Sequence, residues 1–179
     1  MFEVVSVYSD GGLIRSNPST IGGTWSCCHV TADNERVWSK SGVIVADQAD
    51  PLFAEVGNNQ VEFRALLEGL EALPDGWLGT AYTDSLLTIR RFRDLERTGL
   101  VGIPIDWRRR AAVVLGRLGR IEYVLLDGHP TKAQLAAGVG KRGNPVSEWN
   151  VWCDKACGDE AKRYMGIEPK PKRGKGEAV

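Results

Sequence analysis

The chain has 179 residues, of which 42% are apolar and 26% are charged, and its formal net charge is zero. This length and composition are ordinary for one globular domain with a sizeable core, and the balanced charge argues against binding nucleic acid through a strong overall basic field. The sequence lacks both an apolar run of about 18 residues and a basic-then-apolar leader, so it predicts no membrane span, no secretion and a cytoplasmic location.

The first part of the chain predicts a meander of three antiparallel strands. Its apolar and polar residues alternate, which is typical of strands in a folded sheet. The predicted strands cover residues 2–10, 21–30 and 35–45, and the turn signals after the first are Gly11-Gly12 and Asn17-Pro18. A loop then leads to Gly57.

In the second part, helical periodicity alternates with short apolar runs. Helices are predicted over residues 59–73, 85–95, 105–118 and 147–164, strands over 79–83 and 121–126, and a Gly- and Pro-rich loop over 128–145. Residues 1–165 would form the domain, and residues 166–179 a disordered basic tail. This order indicates an α/β fold in which helices flank a five-stranded mixed sheet, with three antiparallel strands plus two parallel strands.

Four acidic residues fall at or near the ends of these elements. Asp10 and Asp84 close the first and fourth strands, Glu62 lies in the first turns of the following helix, and Asp154 lies on the last helix. In a sheet of this order the four can meet at one edge. Clustered carboxylates repel one another, which raises at least one pKa, and two divalent cations would remove that penalty. Oxygen ligands favour Mg²⁺ or Mn²⁺ over zinc, so the pattern predicts a two-ion site that cleaves phosphodiesters.

Each residue alone has a plainer interpretation. Asp10 could be a turn residue, and Glu62 a first-turn acid favoured by the helix dipole. Asp84 could cap the helix that follows it. Asp154 and His129 could be solvated surface residues. Only their joint order along the chain favours a site over these separate explanations.

The four cysteines form no Cys-x-x-Cys pair. They are Cys27, Cys28, Cys153 and Cys157. A zinc site with the neighbouring His29 is the alternative interpretation. Adjacent cysteines on a strand point to opposite faces and do not easily reach one metal, so reduced, partly buried thiols are favoured.

Five motifs in order make the chain resemble the type 1 ribonucleases H. They are Tyr8-Ser9-Asp10-Gly11-Gly12 with Asn17-Pro18, Asn58-Asn59-Gln60-Val61-Glu62 with Leu70-Glu71-Ala72-Leu73, Thr83-Asp84-Ser85, Asp127-Gly128-His129, and Asn150-x-x-Cys153-Asp154-x-Ala156. The resemblance covers nearly all of residues 4–160. It implies the ribonuclease H-like fold and endonucleolytic hydrolysis of the RNA strand of RNA–DNA hybrids, leaving 3′-hydroxyl and 5′-phosphate ends. It further implies a monomer that removes primers or clears hybrids during DNA replication.

The same resemblance implies residue roles. The ligands of two Mg²⁺ ions, for which Mn²⁺ could substitute, would be Asp10, Glu62, Asp84 and Asp154, with Asp10 shared between the ions. His129 would help the leaving group or product to depart. The substrate-binding residues would be Gly11, Gly12, Asn17, Asn58 and Asn59. The glycine backbone and the Asn59 region would touch ribose 2′-hydroxyls, which distinguish RNA from DNA.

The departures from the family pattern concern residues that bind the substrate. Gly57 stands where members often have a threonine that binds a DNA-strand phosphate, and Gln60 replaces a frequent arginine. No long basic insert lies between Asp84 and His129. Basic clusters at residues 90–93 and 107–110 fit solvated helix faces and phosphate contacts equally well. Within the loop, the basic residues that could reach phosphate are Lys132, Lys141 and Arg142.

Two alternative functions remain at this point. One is a metal-dependent nuclease of the same fold that acts on DNA, and competition between hybrid and DNA substrates would distinguish it. The other is a catalytically idle module that binds hybrids. The intact set of four acids argues against an idle module, because clustered negative charge beside a phosphate backbone hinders binding alone.

Overall fold

The computed structural model describes residues 3–95 and 102–167. Its elements are β1 (Val4–Leu13), β2 (Gly22–Thr31), β3 (Arg36–Val45), α1 (Asn58–Glu71), β4 (Gly79–Thr83), α2 (Leu86–Arg93), α3 (Ile105–Arg117), β5 (Ile121–Leu125), α4 (Lys132–Ala137) and α5 (Glu148–Tyr164). The strands form one sheet in the order β3-β2-β1-β4-β5. β2 is antiparallel to β1 and β3, whereas β4 is parallel to β1 and β5. The predicted fold class is confirmed.

Side-chain alternation along the strands separates two apolar clusters. On one face, Val7 and Cys27 join the main core with α1 and α3. On the other face, Tyr8 and Cys28 pack with Cys153 of α5. The adjacent residues Cys27 and Cys28 therefore point to opposite faces, as strand geometry requires.

β1 continues past Asp10 to Leu13, so the prediction of a turn at Gly11-Gly12 is wrong. A Cβ at residue 11 would lie 2.6 Å from Val61 Cγ2 and 2.7 Å from the backbone nitrogen of Glu62. Glycine at this position reflects the close crossing of α1 over β1 rather than a reversal of the chain.

The segment 128–145 is not wholly a loop, because it contains α4. Thr131 Oγ1 accepts from the Gln134 backbone N–H at 3.2 Å, and Gln134 Oε1 accepts from the Thr131 N–H at 2.8 Å. This capping box begins the helix, and Gly138, with φ 73°, ends it. A helix of only six residues is too short for its apolar periodicity to be recognised in the sequence.

Three of the six arginines in the two helical clusters are exposed, and the other three are partly or fully buried against the protein. Arg110 pairs with Glu68 and Glu71 of α1, and Arg108 Nε donates to the carbonyl of Ile103 at 2.8 Å. Arg91 is only 4% exposed. A role for Arg91 in phosphate contact is therefore corrected: its side chain belongs to the interior.

Two predictions concern residues that the structure does not cover. Phe2 of the first predicted strand lies outside the described residues, and so does the predicted tail apart from residues 166–167. Among residues 3–95 and 102–167, no helix combines the length and apolarity needed to cross a membrane.

Candidate metal and catalytic site

Asp10 and Asp84 lie side by side because their strands are parallel neighbours. In the register between β1 and β4, Ser6 faces Thr80 and Tyr8 faces Tyr82. The same register continued by two residues brings Asp10 opposite Asp84. The rings of Tyr8 and Tyr82, two residues before the two acids, stack at 4.6 Å with planes 7° apart.

α1 supplies the third carboxylate. Its close crossing over Gly11 carries Glu62 to the same place, and one oxygen from each of Asp10, Glu62 and Asp84 lies within 4.8 Å of the others. Asp10 is 5% exposed and Glu62 is 3% exposed. Three of the four predicted acids thus form a compact, largely buried cluster of oxygen donors.

Burial and like charge raise the pKa of all three carboxyl groups. Burial is the largest cause for each group. For Asp10 the charges of Asp84 and Asp154 add to it, and for Glu62 the charges of Asp10 and Asp84 do so. Ionising all three carboxyl groups together is therefore unfavourable in the protein alone, and a bound cation would stabilise their ionised forms.

Neighbouring donors form hydrogen bonds with these acids but leave one carboxylate oxygen without a partner. The Gly11 N–H donates to Asp10 Oδ1 at 2.8 Å, and the Gly11 backbone and the Asn58 side chain lower the pKa of Glu62 by hydrogen bonding. Among the described residues, buried Glu62 Oε2 has no hydrogen-bond partner. An unpaired buried carboxylate oxygen, beside two further carboxylates, fits a hard divalent cation and can bind one.

Asp84 has neighbours of both signs. Burial is the main cause of its raised pKa, and Asp154 adds to it, whereas the positive charges of His129 and Arg142 oppose it. A Cβ at residue 128 would lie 2.2 Å from Asp84 Oδ2. The backbone that follows β5 therefore forms one wall around this carboxylate.

Asp154 and His129 lie together at the rim. His129 Nδ1 is 3.6 Å from Asp154 Oδ2, and their side chains are 79% and 51% exposed. Asp154 is not part of the compact cluster of three, although its charge raises the pKa of Asp10. His129 adopts φ 50°, a left-handed conformation. Its catalytic role and the role of Asp154 as a fourth ligand stay predictions.

The predicted substrate residues are three asparagines and two glycines. Asn17, Asn58 and Asn59 are exposed. A Cβ at Gly12 would contact Thr24 Oγ1 at 3.2 Å and Cys157 Cβ at 3.4 Å. These neighbours would need to shift by only a few tenths of an ångström, so packing restricts position 12 less than it restricts Gly11. Contacts between substrate and these two backbones stay predictions.

The two departures at α1 have structural roles. Gly57 is the N-cap, and its N–H donates to Gln60 Oε1 at 2.8 Å. Gln60 Nε2 donates to the carbonyl of Leu52 at 3.1 Å, and Gln60 is only 6% exposed. Gln60 therefore ties the preceding loop to α1 and is not available as a surface contact for substrate.

Sequence reasoning missed the role of Asp127. Its carboxylate, 3% exposed, accepts from the Arg142 backbone N–H at 2.6 Å, from Arg142 Nε at 2.9 Å and from Asn144 Nδ2 at 2.9 Å. These bonds lower the pKa of Asp127 against the effect of burial. The partners lie 15 and 17 positions away, so no local pattern reveals them, and Asp127-Gly128 looks like an ordinary turn.

No protein-family model matches the chain, and no curated protein matches it in sequence. Its fold is similar to that of the N-terminal ribonuclease H domain of a Mycobacterium tuberculosis protein, solved as a fusion with maltose-binding protein. The two sequences are 17% identical, the match covers 90% of this chain and 97% of that chain, and the TM-score is 0.58. A type 1 ribonuclease H isolated from compost by a metagenomic approach was also solved in complex with an RNA/DNA hybrid. That complex matches at 17% identity, with 89% of this chain and 98% of that chain covered and a TM-score of 0.59.

The type 1 ribonuclease H of the halophilic archaeon Halobacterium salinarum matches at 24% identity, with 68% of this chain and 85% of that chain covered and a TM-score of 0.51. At such identities the likeness concerns the fold. The chain has the fold of the type 1 ribonucleases H, with an acidic cluster formed by Asp10 within β1, Asp84 directly after the parallel strand β4, and Glu62 of α1.

Proposed function

We propose that this protein is an endonuclease that hydrolyses the RNA strand of RNA–DNA hybrids with two Mg²⁺ ions, leaving 3′-hydroxyl and 5′-phosphate ends. The observation that carries the proposal is the convergence of Asp10, Glu62 and Asp84 within 4.8 Å. The fold supports it, because a compost enzyme of this fold was solved with an RNA/DNA hybrid. The proposed setting is cytoplasmic, where a monomer would remove primers or clear hybrids during DNA replication.

The acids would divide between two ions. Asp10 would be the shared residue, because its carboxylate lies within 4.8 Å of those of Glu62 and Asp84 and the charge of Asp154 also raises its pKa. Asp154, at the exposed rim, would complete the second ion's ligands. When bound, Mg²⁺ or Mn²⁺ lowers the pKa of a water so that it can attack phosphorus, and neutralises the departing oxygen.

The protein's own contribution is orientation and proton transfer. The Gly11 N–H fixes Asp10, and the missing side chain at Gly128 leaves space for the carboxylate of Asp84. His129 is exposed at the rim beside Asp154. An imidazole there can give a proton to the leaving 3′-oxygen while the acids stay ionised around the cations.

Recognition of ribose would come from the surface next to the cluster. Ser19 and Val56 exchange two backbone hydrogen bonds of 2.9 and 2.8 Å, which hold the turn of Asn17 against the segment leading into α1. Asn58 and Asn59 at the start of α1 would therefore share a substrate-binding surface with Asn17. Amide side chains there, with the Gly11 and Gly12 backbone, would contact sugars and phosphates in the minor groove.

A cleavage assay on a labelled RNA–DNA hybrid tests this function. We expect cleavage of the RNA strand with Mg²⁺ or Mn²⁺, none with EDTA, and products that a polymerase can extend from their 3′-hydroxyls. Duplex DNA and single-stranded RNA serve as competing substrates. Equal cleavage of duplex DNA would replace the proposal with a DNA nuclease, and tight hybrid binding without cleavage or Mg²⁺ binding would leave a hybrid-binding module.

A further inference from the structure

Arg142 is fixed at one end by a buried carboxylate. Its backbone N–H and its Nε both donate to Asp127, one to each carboxylate oxygen, at 2.6 and 2.9 Å. Asn144 Nδ2 donates to the same Asp127 Oδ1 at 2.9 Å. Asp127 is buried, so this clamp restrains the arginine more than a pair in solvent would.

The other end of Arg142 is free to bind a ligand. The side chain is 65% exposed, and its terminal nitrogens donate to no residue in the described ranges 3–95 and 102–167. Its positive charge reaches Asp84 and opposes the rise in that group's pKa. The geometry places Arg142 near the cluster: it is bonded to Asp127, and the next residue, Gly128, lies directly against the carboxylate of Asp84.

Two other basic residues, Lys141 and Arg93, do not combine a fixed side chain with free terminal nitrogens. The neighbouring Lys141 forms no hydrogen bond or ion pair with any residue that the structure describes, so nothing orients it. Arg93 donates to the carbonyl of Tyr123 at 3.1 Å. A guanidinium held through Nε presents its two terminal nitrogens as a fork, which matches two oxygens of one phosphate.

We propose that Arg142 binds a phosphate of the cleaved strand beside the acidic cluster, and that Asp127 is its positioning residue. The inference rests on the proposed function, because it takes the cluster to act on a phosphodiester. The carboxylates repel the substrate backbone, so a fixed cation next to them compensates locally in a chain of zero net charge. A guanidinium already in place also stabilises the negative charge that develops on the phosphoryl oxygens.

The variant Arg142→Gln separates this role from a structural one. Glutamine can still donate to Asp127 but lacks the charge and the free fork. Hybrid affinity is measured by fluorescence anisotropy in EDTA at several salt concentrations, and the single-turnover cleavage rate is measured in Mg²⁺ at saturating hybrid. We expect about tenfold weaker binding, a salt slope smaller by about one, and cleavage slowed by about 100-fold. A control outside the proposed site is Arg120→Gln, because Arg120 is exposed at the end of β5 opposite His129; this variant should stay within about twofold of the unaltered protein in cleavage rate.

A double-mutant cycle tests the positioning role of Asp127. Asp127→Asn alone should weaken binding and slow cleavage, yet add almost nothing in the Arg142→Gln background, because both changes remove the same interaction. Additive losses would mean that Asp127 acts only through stability, and would overturn this part of the inference.

The possible outcomes distinguish the two proposals. If the unaltered protein cleaves hybrid and Arg142→Gln matches it in affinity, salt slope and rate, the inference about Arg142 is wrong and the function stands. If the unaltered protein binds hybrid without cleaving it, the function is wrong, and the affinity and salt slope still decide the role of Arg142. If the unaltered protein neither binds nor cleaves, both proposals are overturned.

Discussion

Gly128 lies against the carboxylate of Asp84, so closely that a Cβ at residue 128 would sit 2.2 Å from Oδ2 and 3.2 Å from Cγ. The obstacle is the end of a short side chain rather than backbone. We expect Gly128→Ala to fold normally while Asp84 turns away from Asp10 and Glu62. Mg²⁺ affinity, measured by calorimetry, and hybrid cleavage should both fall by about 10- to 100-fold.

A matched control for this substitution is Gly116→Ala. Gly116 is exposed in α3, and a Cβ there would meet nothing within 4 Å. Alanine in a helix is more favourable than glycine by roughly 1 kcal/mol, so this variant should gain stability and keep full activity. Unchanged Mg²⁺ affinity in Gly128→Ala would show that Asp84 does not depend on this wall.

Removing the carboxylate of Asp10 should separate activity from stability. Asp10→Asn should lose more activity than the roughly 100-fold typical of residues that only support a metal ligand. In EDTA the same variant should melt at a higher temperature than the unaltered protein at neutral pH, because one buried like charge is gone. Near-normal cleavage by this variant would refute the metal-site assignment.

The acidic cluster also predicts a pH dependence of stability. The pKa values of Asp10, Glu62 and Asp84 are raised in the folded state, so the folded state binds these protons more tightly than the unfolded state. The cluster's contribution is therefore most favourable below about pH 4, near the unfolded pKa values, and is lost as the pH rises through the folded pKa values.

Denaturant unfolding between about pH 4 and 8 measures this effect. The difference in unfolding free energy between Asp10→Asn and the unaltered protein, both in EDTA, isolates the cluster from carboxyl groups such as Asp127, whose pKa is lowered. This difference should grow with pH in EDTA and shrink when Mg²⁺ is added. A difference that does not vary with pH would contradict the raised pKa values.

Two substitutions at His129 distinguish the strain of its backbone conformation from the proposed catalytic role of its imidazole. At φ 50°, asparagine is tolerated, whereas alanine costs roughly 1 kcal/mol. We therefore expect His129→Asn to keep the melting temperature and His129→Ala to lower it. Both should slow turnover by about 100-fold if the imidazole transfers a proton. Single-turnover and steady-state rates would show whether chemistry or product release has slowed.

Gly57 offers a gain-of-function test. Its φ of −101° and ψ of 159° suit any residue, and a Cβ would meet nothing within 4 Å. Gly57→Thr should stabilise the protein by about 0.5–1 kcal/mol through a side-chain cap and a less flexible unfolded chain. It should also tighten hybrid binding if a threonine here contacts a DNA-strand phosphate. The variant Gly57→Ala restricts the unfolded chain without adding a hydroxyl, so it separates the gain from reduced chain flexibility from the gain due to the threonine hydroxyl.

The proximity of Asp10 and Asp84 could be predicted because it depends on sheet order and on the parallel pairing of β1 with β4, although β1 continues past Asp10 to Leu13. The environment of those acids could not. Gly11 is a glycine because of α1, which lies far along the chain, and Asp127 matters because of residues brought back by the loop containing α4. Long-range packing of this kind leaves no period in the sequence. The burial of Arg91 was missed for the same reason.

Because its four thiols are buried, the folded state should react only slowly with thiol reagents. Cys27 and Cys28 lie on β2, and Cys153 and Cys157 on α5. Burial raises the pKa of Cys27, Cys153 and Cys157, so little thiolate is available until the structure opens. The rate of alkylation therefore reports how often the structure opens. Slower alkylation in Mg²⁺ would show that the acidic cluster binds the ion in the absence of nucleic acid.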